Sequence, residues 1–321
     1  MNAKRLLLGL CVGMSVVLGV QAAYPERPIT IVVPFPAGGS TDAIARAVGA
    51  KMSARLGQPV VVDNRPGATG AIGAGMVKRA APDGYTLMAA SIGVYAMNQW
   101  LQKKLPYDPS RDFDLLTVAV QAPNVLVVHP AVPVNTVPEL IAHLKKNPGK
   151  LAFASSGNGS SDHLTAELFW QKSGTSGLHV PYKGGGPAIT DLLGGQTSAS
   201  FVNVNTALPH IRSGRLKALA VTSERRSPVL PKVPTLVETG VPGVEVYSWQ
   251  AFAAPKGLPK EVKAKLHGAI VAALKEPEVR GKLLEQGFDI VANSPEQFTA
   301  FQALEQARWG KVIVDGKITA D

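Results

Sequence analysis

Pro34-Phe35-Pro36-Ala37-Gly38-Gly39-Ser40-Thr41-Asp42 links a strand-like run at 28–33 to an amphipathic helical pattern at 40–56. In that pattern Ile44, Val48, Met52 and Leu56 share one stripe, and Gly57 supplies the stop. A second strand is expected at 59–63, a glycine- and alanine-rich helix at 68–80, and a third strand at 85–90. This order builds a mostly parallel sheet whose ligand loops lie at the carboxyl ends of its strands. A second α/β run follows, with helices at 137–146, 162–172, 187–193 and 207–213. Its strands are expected at 151–155, 179–182, 198–204 and 218–222. The apolar run 117–129, broken at Gln121-Ala122-Pro123-Asn124, reads as a crossing strand, and 244–255 as the return. Helices at 260–275, 277–286 and 295–312 complete the chain. Two distant crossings imply an α/β protein with a discontinuous first domain, 24–123 plus 248–321, around a second at 124–247. That arrangement provides a hinge and a closing cleft.

Two further stretches repeat the strand–glycine loop–helix theme. They are Ser155-Ser156-Gly157-Asn158-Gly159-Ser160-Ser161-Asp162-His163 and Tyr182-Lys183-Gly184-Gly185-Gly186-Pro187. Each of the three loops presents unpaired N–H groups at the positive end of a helix, a ready anion site. In the first, the glycines let backbone approach a ligand, and Ser40 or Thr41 can cap the helix or donate to a carboxylate. Asp42 stands where a phosphate loop would need its lysine; it reads as a first-turn helix residue or as a ligand contact. In the second, Ser160, Ser161 and the amides around Asn158 and Gly159 read as donors. His163 reads equally as a cleft group or as a histidine packed in the first helical turn. Gly184 opens the third loop, whose bland reading is a tight turn, with Pro187 expected at the helix start.

Several function classes fall away. Gly157-x-Gly159 lacks the third glycine of a dinucleotide fingerprint. No His-Glu-x-x-His or Gly-x-Ser-x-Gly occurs, and histidines 129, 143, 163, 179, 210 and 267 never fall at close ligand spacing. The expectation is therefore a binder rather than an enzyme, with no cofactor or metal. The formal charge of +10 is spread along the chain without a basic tail, which disfavours nucleic acid as a partner. Residues 1–22 read as an export signal, with Lys4 and Arg5, an apolar run at 6–20, and cleavage after Ala22 or Ala23. The single cysteine, Cys11, lies inside it, so the exported chain would depend on its core alone. The expectation is an exported, periplasmic protein that acts as a monomer.

The motifs, in order, resemble those of the Bug-type extracytoplasmic solute receptors of tripartite tricarboxylate transporters. They include Tyr24-Pro25, the 33–42 loop, Val62-Asp63-Asn64-Arg65-Pro66-Gly67-Ala68 and Lys104-Leu105-Pro106-Tyr107-Asp108-Pro109. Val180-Pro181-Tyr182-Lys183-Gly184, Ala218-Leu219-Ala220-Val221-Thr222, Val233-Pro234-Thr235-Leu236 and Trp309-Gly310-Lys311-Val312-Ile313 follow. The resemblance implies a type II, Venus-flytrap fold like that of periplasmic binding proteins, with two α/β domains joined by two strands. It also implies a small organic carboxylate gripped by the first two loops and delivered to membrane permease subunits. Carried over, the ligand-binding residues are Ala37, Gly38, Gly39, Ser40, Thr41, Asp42, Asn158, Gly159, Ser160, Ser161 and His163. Ser91, Gly93, Gly184 and Asn203 line the same cleft. Val202 stands where many relatives carry an acid. A ligand sensor that presents its closed form to a membrane signalling protein would need the same clamp.

Overall fold

The computed structural model describes residues 24–319. The expected export signal, its cleavage site and Cys11 lie outside the described residues. The chain begins with β1 (Ile29–Val33), α1 (Ser40–Leu56), β2 (Val60–Asn64), α2 (Ala71–Lys78), β3 (Thr86–Ser91) and α3 (Asn98–Leu101). It continues through β4 (Phe113–Val128), α4 (Val137–Lys146), β5 (Ala152–Ser155), α5 (Ser161–Ser173), β6 (Leu178–Pro181) and α6 (Gly185–Leu193). Then come β7 (Ala199–Asn203), α7 (Val204–Arg212), β8 (Lys217–Val221) and β9 (Tyr247–Pro255). The chain ends with α8 (Lys260–Lys275), α9 (Pro277–Glu285), β10 (Asp289–Ile290) and α10 (Pro295–Asp315).

The strands follow the order β2-β1-β3-β9-β4-β7-β5-β6, with β10 and β8 also paired to β4. β1 is parallel to β2 and β3, and β5 is parallel to β6 and β7, as the alternating strand–helix order requires. β4 is the common member. Its residues Phe113 to Pro123 pair antiparallel with β9, and Asn124 to Val128 pair with β7. The two ladders form two wings, which meet where β4 changes partner.

Side chains alternate across the sheet, and the apolar ones feed two cores. Ile29, Ile31 and Val33 of β1 join Ile44, Val48 and Met52 of α1, while Val32 faces the other way. The second face gathers Tyr95, Trp249, Phe298 and Trp309, all fully buried. Tyr95 stacks on Trp249 at 5.7 Å, and Phe298 meets both rings edge-on. α10 is closed at its start by a capping box between Ser294 and Gln297.

Three local expectations are corrected. The expected helix 68–80 opens with a 3-10 turn, Ala68–Gly70, kinked at Thr69, whose φ is 52°. The crossing strand expected at 117–129 is present but longer, a 16-residue element that already begins at Phe113 and runs through 121–124. Pro123 is tolerated because its missing N–H falls where the ladder switches partners. Pro187 is the third residue of α6, not the first; that amide also lacks a partner within the helix, so proline costs little there.

Glu305, on α10, accepts the indole N–H of Trp249 at 2.9 Å and of Trp309 at 3.2 Å, all three residues being buried. Glu305→Leu strips both donors of their acceptor and should cost about 1–3 kcal/mol in urea denaturation. Glu305→Gln keeps an acceptor oxygen and should cost less.

Candidate functional site

The first loop leaves β1 and turns through Gly38, whose φ of 87° suits glycine, into Gly39, the N-cap of α1. Neither Ser40 nor Thr41 caps the helix with its side chain; they are its first two residues. Asp42, almost fully buried, accepts from the Gly38 N–H at 3.0 Å, from Arg46 Nε at 3.0 Å and from Asn64 Nδ2 at 3.0 Å. Burial alone would raise its pKa. Arg46, the Gly38 amide and Asn64 more than offset that and hold the carboxyl below the usual carboxylate range. Of the two readings of Asp42, the structure favours the framework one: its lone pairs are engaged within the loop.

The second loop uses the same device with a different side chain. Gly159 (φ 72°) donates its N–H to His163 Nδ1 at 3.0 Å, again from the residue before the N-cap to the third helical residue. His163 is 3% exposed and stacks on His179 at a 3.7 Å ring separation. Since Nδ1 accepts, Nε2 carries the proton, toward Glu167 Oε1 at 3.6 Å. This corrects the expectation of a cleft-facing ligand group: His163 packs beneath the loop and shapes it. Ser160 caps α5, its hydroxyl accepting from His163 N at 3.3 Å and donating to Gly157 O at 2.7 Å. Asp162 ties down Ser156 through its amide (2.6 Å) and its hydroxyl (2.8 Å).

The third loop braces the second. Gly184 donates its N–H to Ser156 O at 3.0 Å, so that amide is already engaged. Asn203 is likewise committed: its amide donates to Asn124 Oδ1 and, at 3.5 Å, reaches the Ser161 hydroxyl. Val202 beside it is buried in an apolar cluster, where a carboxylate would go unsolvated.

The loops of the two wings face one another. Asn205 of α7 donates to the Ser40 hydroxyl at 2.9 Å. A Cβ placed on Gly93 would lie 3.4 Å from Gly159 O, and one on Gly184 would lie 3.9 Å from Pro36 Cγ. Ser91 ends β3 beside Gly93 and pairs with Gln250 of β9. Ala37, Gly38 and Gly39 are exposed, whereas Asn158 and Ser160 are half-buried and Gly159 is buried. Among the described residues, no hydrogen bond takes the amides of Gly39, Ser40 and Thr41 in α1, or of Ser161 and Asp162 in α5. Two helix N-termini thus carry unpaired donors on the side where the loops of the two wings approach, with the Ser40 and Ser161 hydroxyls beside them.

Sequence reasoning passed over Asn98 and Asn205. Each carries a buried amide oxygen without a partner. The only signal for Asn98 was a polar residue inside the apolar run Ile92–Leu101. A groove of about 540 Å³ also opens beside the crossing strands, lined by Gln121, Glu224, Glu245, Tyr247, Glu305 and Arg308 among others. It shares no residue with the glycine loops. Three glutamates against one arginine make it a poor host for an anion, so the loops hold the candidate site.

That fold and the gap between the facing loops define a two-winged α/β solute receptor. The chain belongs to the tripartite tricarboxylate transporter family receptors, whose family model matches residues 44–317. It is 40% identical to BugT of Bordetella pertussis, with 98% of each chain aligned. It superposes on the R. palustris protein Rpa4515 with adipate at a TM-score of 0.89 and 37% identity, covering 92% of this chain and 99% of that one. MatC from Rhodopseudomonas palustris with bound malate gives 0.86 and 33%, covering 90% and 100%. The periplasmic-binding-protein-like α/β class expected from the sequence holds.

Burial first, and the neighbouring His163 ring second, push the His179 pKa down from 6.5 to about 3. The unfolded chain then binds the extra proton, so this group's stabilisation is complete above about pH 6.5 and drains away as pH falls toward 3. Thermal melts between pH 7 and pH 4 should show that loss, and His179→Gln should flatten the slope. At Gly159, an added Cβ would sit 2.2 Å from Leu101 Cδ1 of the other wing, at a positive φ. Gly159→Ala should therefore displace the Leu101 side chain and strain the loop, seen as a lower midpoint in thermal melts.

Proposed function

We propose that this receptor captures a small organic carboxylate between its wings in the periplasm and hands it to the membrane permease of a tripartite tricarboxylate-type transporter. One observation supports the reading: amides at the N-termini of α1 and α5, from opposite wings, are unpaired on the side where the loops of the wings approach. Such ends stabilise a negative group, and the flanking hydroxyls add donors. In this reading the binding residues are the amides of Gly39, Ser40, Thr41, Ser161 and Asp162 with the Ser40 and Ser161 side chains. Ala37, Ser91, Gly93, Asn158 and Ser160 line the gap. Gly38, Asp42, Gly159, His163, Gly184 and Asn203 hold its shape. Two related receptors carry adipate and malate, both carboxylates, which agrees with the chemistry of the gap.

The two domains of this reading are 24–123 plus 248–321 and 124–247, hinged where β4 exchanges β9 for β7. Among the described residues no activated nucleophile is seen in the site: Ser155, which hydrogen-bonds a histidine ring, is itself buried. The protein therefore acts as a binder and not as an enzyme.

Calorimetry against a panel of mono- and dicarboxylates tests the reading. A micromolar ligand is expected, since that requires about 8 kcal/mol net. Gly39→Asp is the sharpest variant, because φ is −81° and the nearest atom to its new Cβ is 3.9 Å away. A side chain fits there without strain, so a loss of at least tenfold in affinity reports charge. No tight carboxylate, or unchanged binding by Gly39→Asp, overturns the proposal.

A further inference from the structure

Asn98 sits where a π-helical turn, Gly93–Met97, gives way to α3, and its backbone N–H closes that turn onto Gly93 O. Turns of this type insert one extra residue and re-aim the side chain that follows. Asn98 is 1% exposed, and its hydrogen bonds settle its orientation. Its Nδ2 donates to Thr69 O at 3.0 Å and to the Tyr107 hydroxyl at 3.1 Å, and that hydroxyl donates to Val94 O at 2.8 Å. Both amide hydrogens are thus used, and a flipped amide would set oxygen against oxygen at Thr69. Asn98 Oδ1 is left buried without a partner. It lies 4.0 Å from a Cβ placed on Gly93 and 4.0 Å from one on Gly159, between the facing loops of the two wings.

A bare carboxylate at this gap has no proton to offer and would repel that oxygen. Leaving a buried acceptor unmet costs affinity by roughly tenfold or more. We propose that Asn98 reads a hydrogen-bond donor carried by the ligand, so that the receptor selects carboxylates bearing a hydroxyl or ammonium group close to the carboxyl end. This rests on the carboxylate-capture reading above and narrows it. Asn205 Oδ1, also buried and unmet beside Ser40, adds a second acceptor from the other wing.

The test is calorimetry on the exported chain with matched ligands: propionate with lactate and alanine, succinate with malate and aspartate, glutarate with 2-hydroxyglutarate and glutamate. For the chain length that fits, a donor-bearing member should bind at least tenfold tighter than its unsubstituted partner. The hydroxy and amino arms tell which donor is read. Asn98→Ala should bring that ratio close to one, with the unsubstituted partner freed of its penalty and binding no more weakly than to the unaltered protein. Tyr107→Phe removes the brace but not Oδ1 and should keep the ratio; a ratio lost equally in both variants would assign Asn98 a structural role only. Equal binding of substituted and unsubstituted members by the unaltered protein would overturn the proposal and leave carboxylate capture standing. If no member of the panel binds, capture itself fails.

Discussion

The first amides of an α-helix find no partner within the helix, and here two helices begin that way on the side where the two wings approach. Everything around them narrows which donors are available. The Gly38 amide is spent on Asp42, that of Gly159 on His163 and that of Gly184 on Ser156. What remains is a short set on the first turns of α1 and α5, presented by loops that their own side chains hold in one shape. Pressing the wings together removes water from these donors. Without a negative group to take its place, closure would bury donors unmet, at about 1–3 kcal/mol each. In the proposed reading, the anion is what makes the closed arrangement favourable.

The two loops reach the same backbone shape through different chemistry. α1 uses a carboxylate, Asp42, whose charge is answered by Arg46 and whose pKa is held low. α5 uses a histidine, His163, whose ring stacks on that of His179; burial and the His163 ring hold the His179 pKa far below its ordinary value. An uncompensated aspartate so near an incoming anion would oppose binding. Arg46 reaches both Asp42 and Asn64, so the negative charge is spent inside the loop. Each helix end contributes about 0.3–2 kcal/mol toward an anion and each charge-assisted hydrogen bond about 1.5–3. Micromolar affinity therefore needs both helix ends and several donors already in place, which is what the locks provide.

Much of this was legible from residue order because it is local. The stripe Ile44, Val48, Met52, Leu56 with Gly57 after it marks α1 to the residue, and the helix expected at 137–146 is α4 with the same bounds. The family motifs, being contiguous, pointed to the correct receptor class. The missing parts depend on partners distant in sequence. Pro123 interrupts the apolar run of the crossing strand, and nothing nearby in sequence says that β4 changes ladders there. Asp42 and His163 looked like candidate ligand groups because helix-start polar residues do either job, and only the bent loop shows that each faces its own glycine. Asn98 was invisible for a related reason: its exposed-or-buried status depends on a π-helical turn, which has no compositional mark, and on a loop some sixty residues later.

Contacts across the wings are many in number but individually slight. On the loop side they include the Ser40–Asn205 hydrogen bond and the approach of Pro36 to Gly184. On the other face, Arg308 donates to Glu245 O, and Gln171 reaches Val312 O at 3.5 Å. Each such bond nets about 0.5–1.5 kcal/mol at most. Each unmet donor at α1 and α5, and the unmet acceptor at Asn98, costs about 1–3 kcal/mol against closure. Only something that interacts differently with open and closed forms can shift that equilibrium. A ligand supplying an anion to the helix ends and a proton to Asn98 changes both unfavourable entries at once. A bare carboxylate would correct the first and aggravate the second. Discrimination between them then arises in the closing step, where the wings meet, rather than in the first encounter with either wing alone.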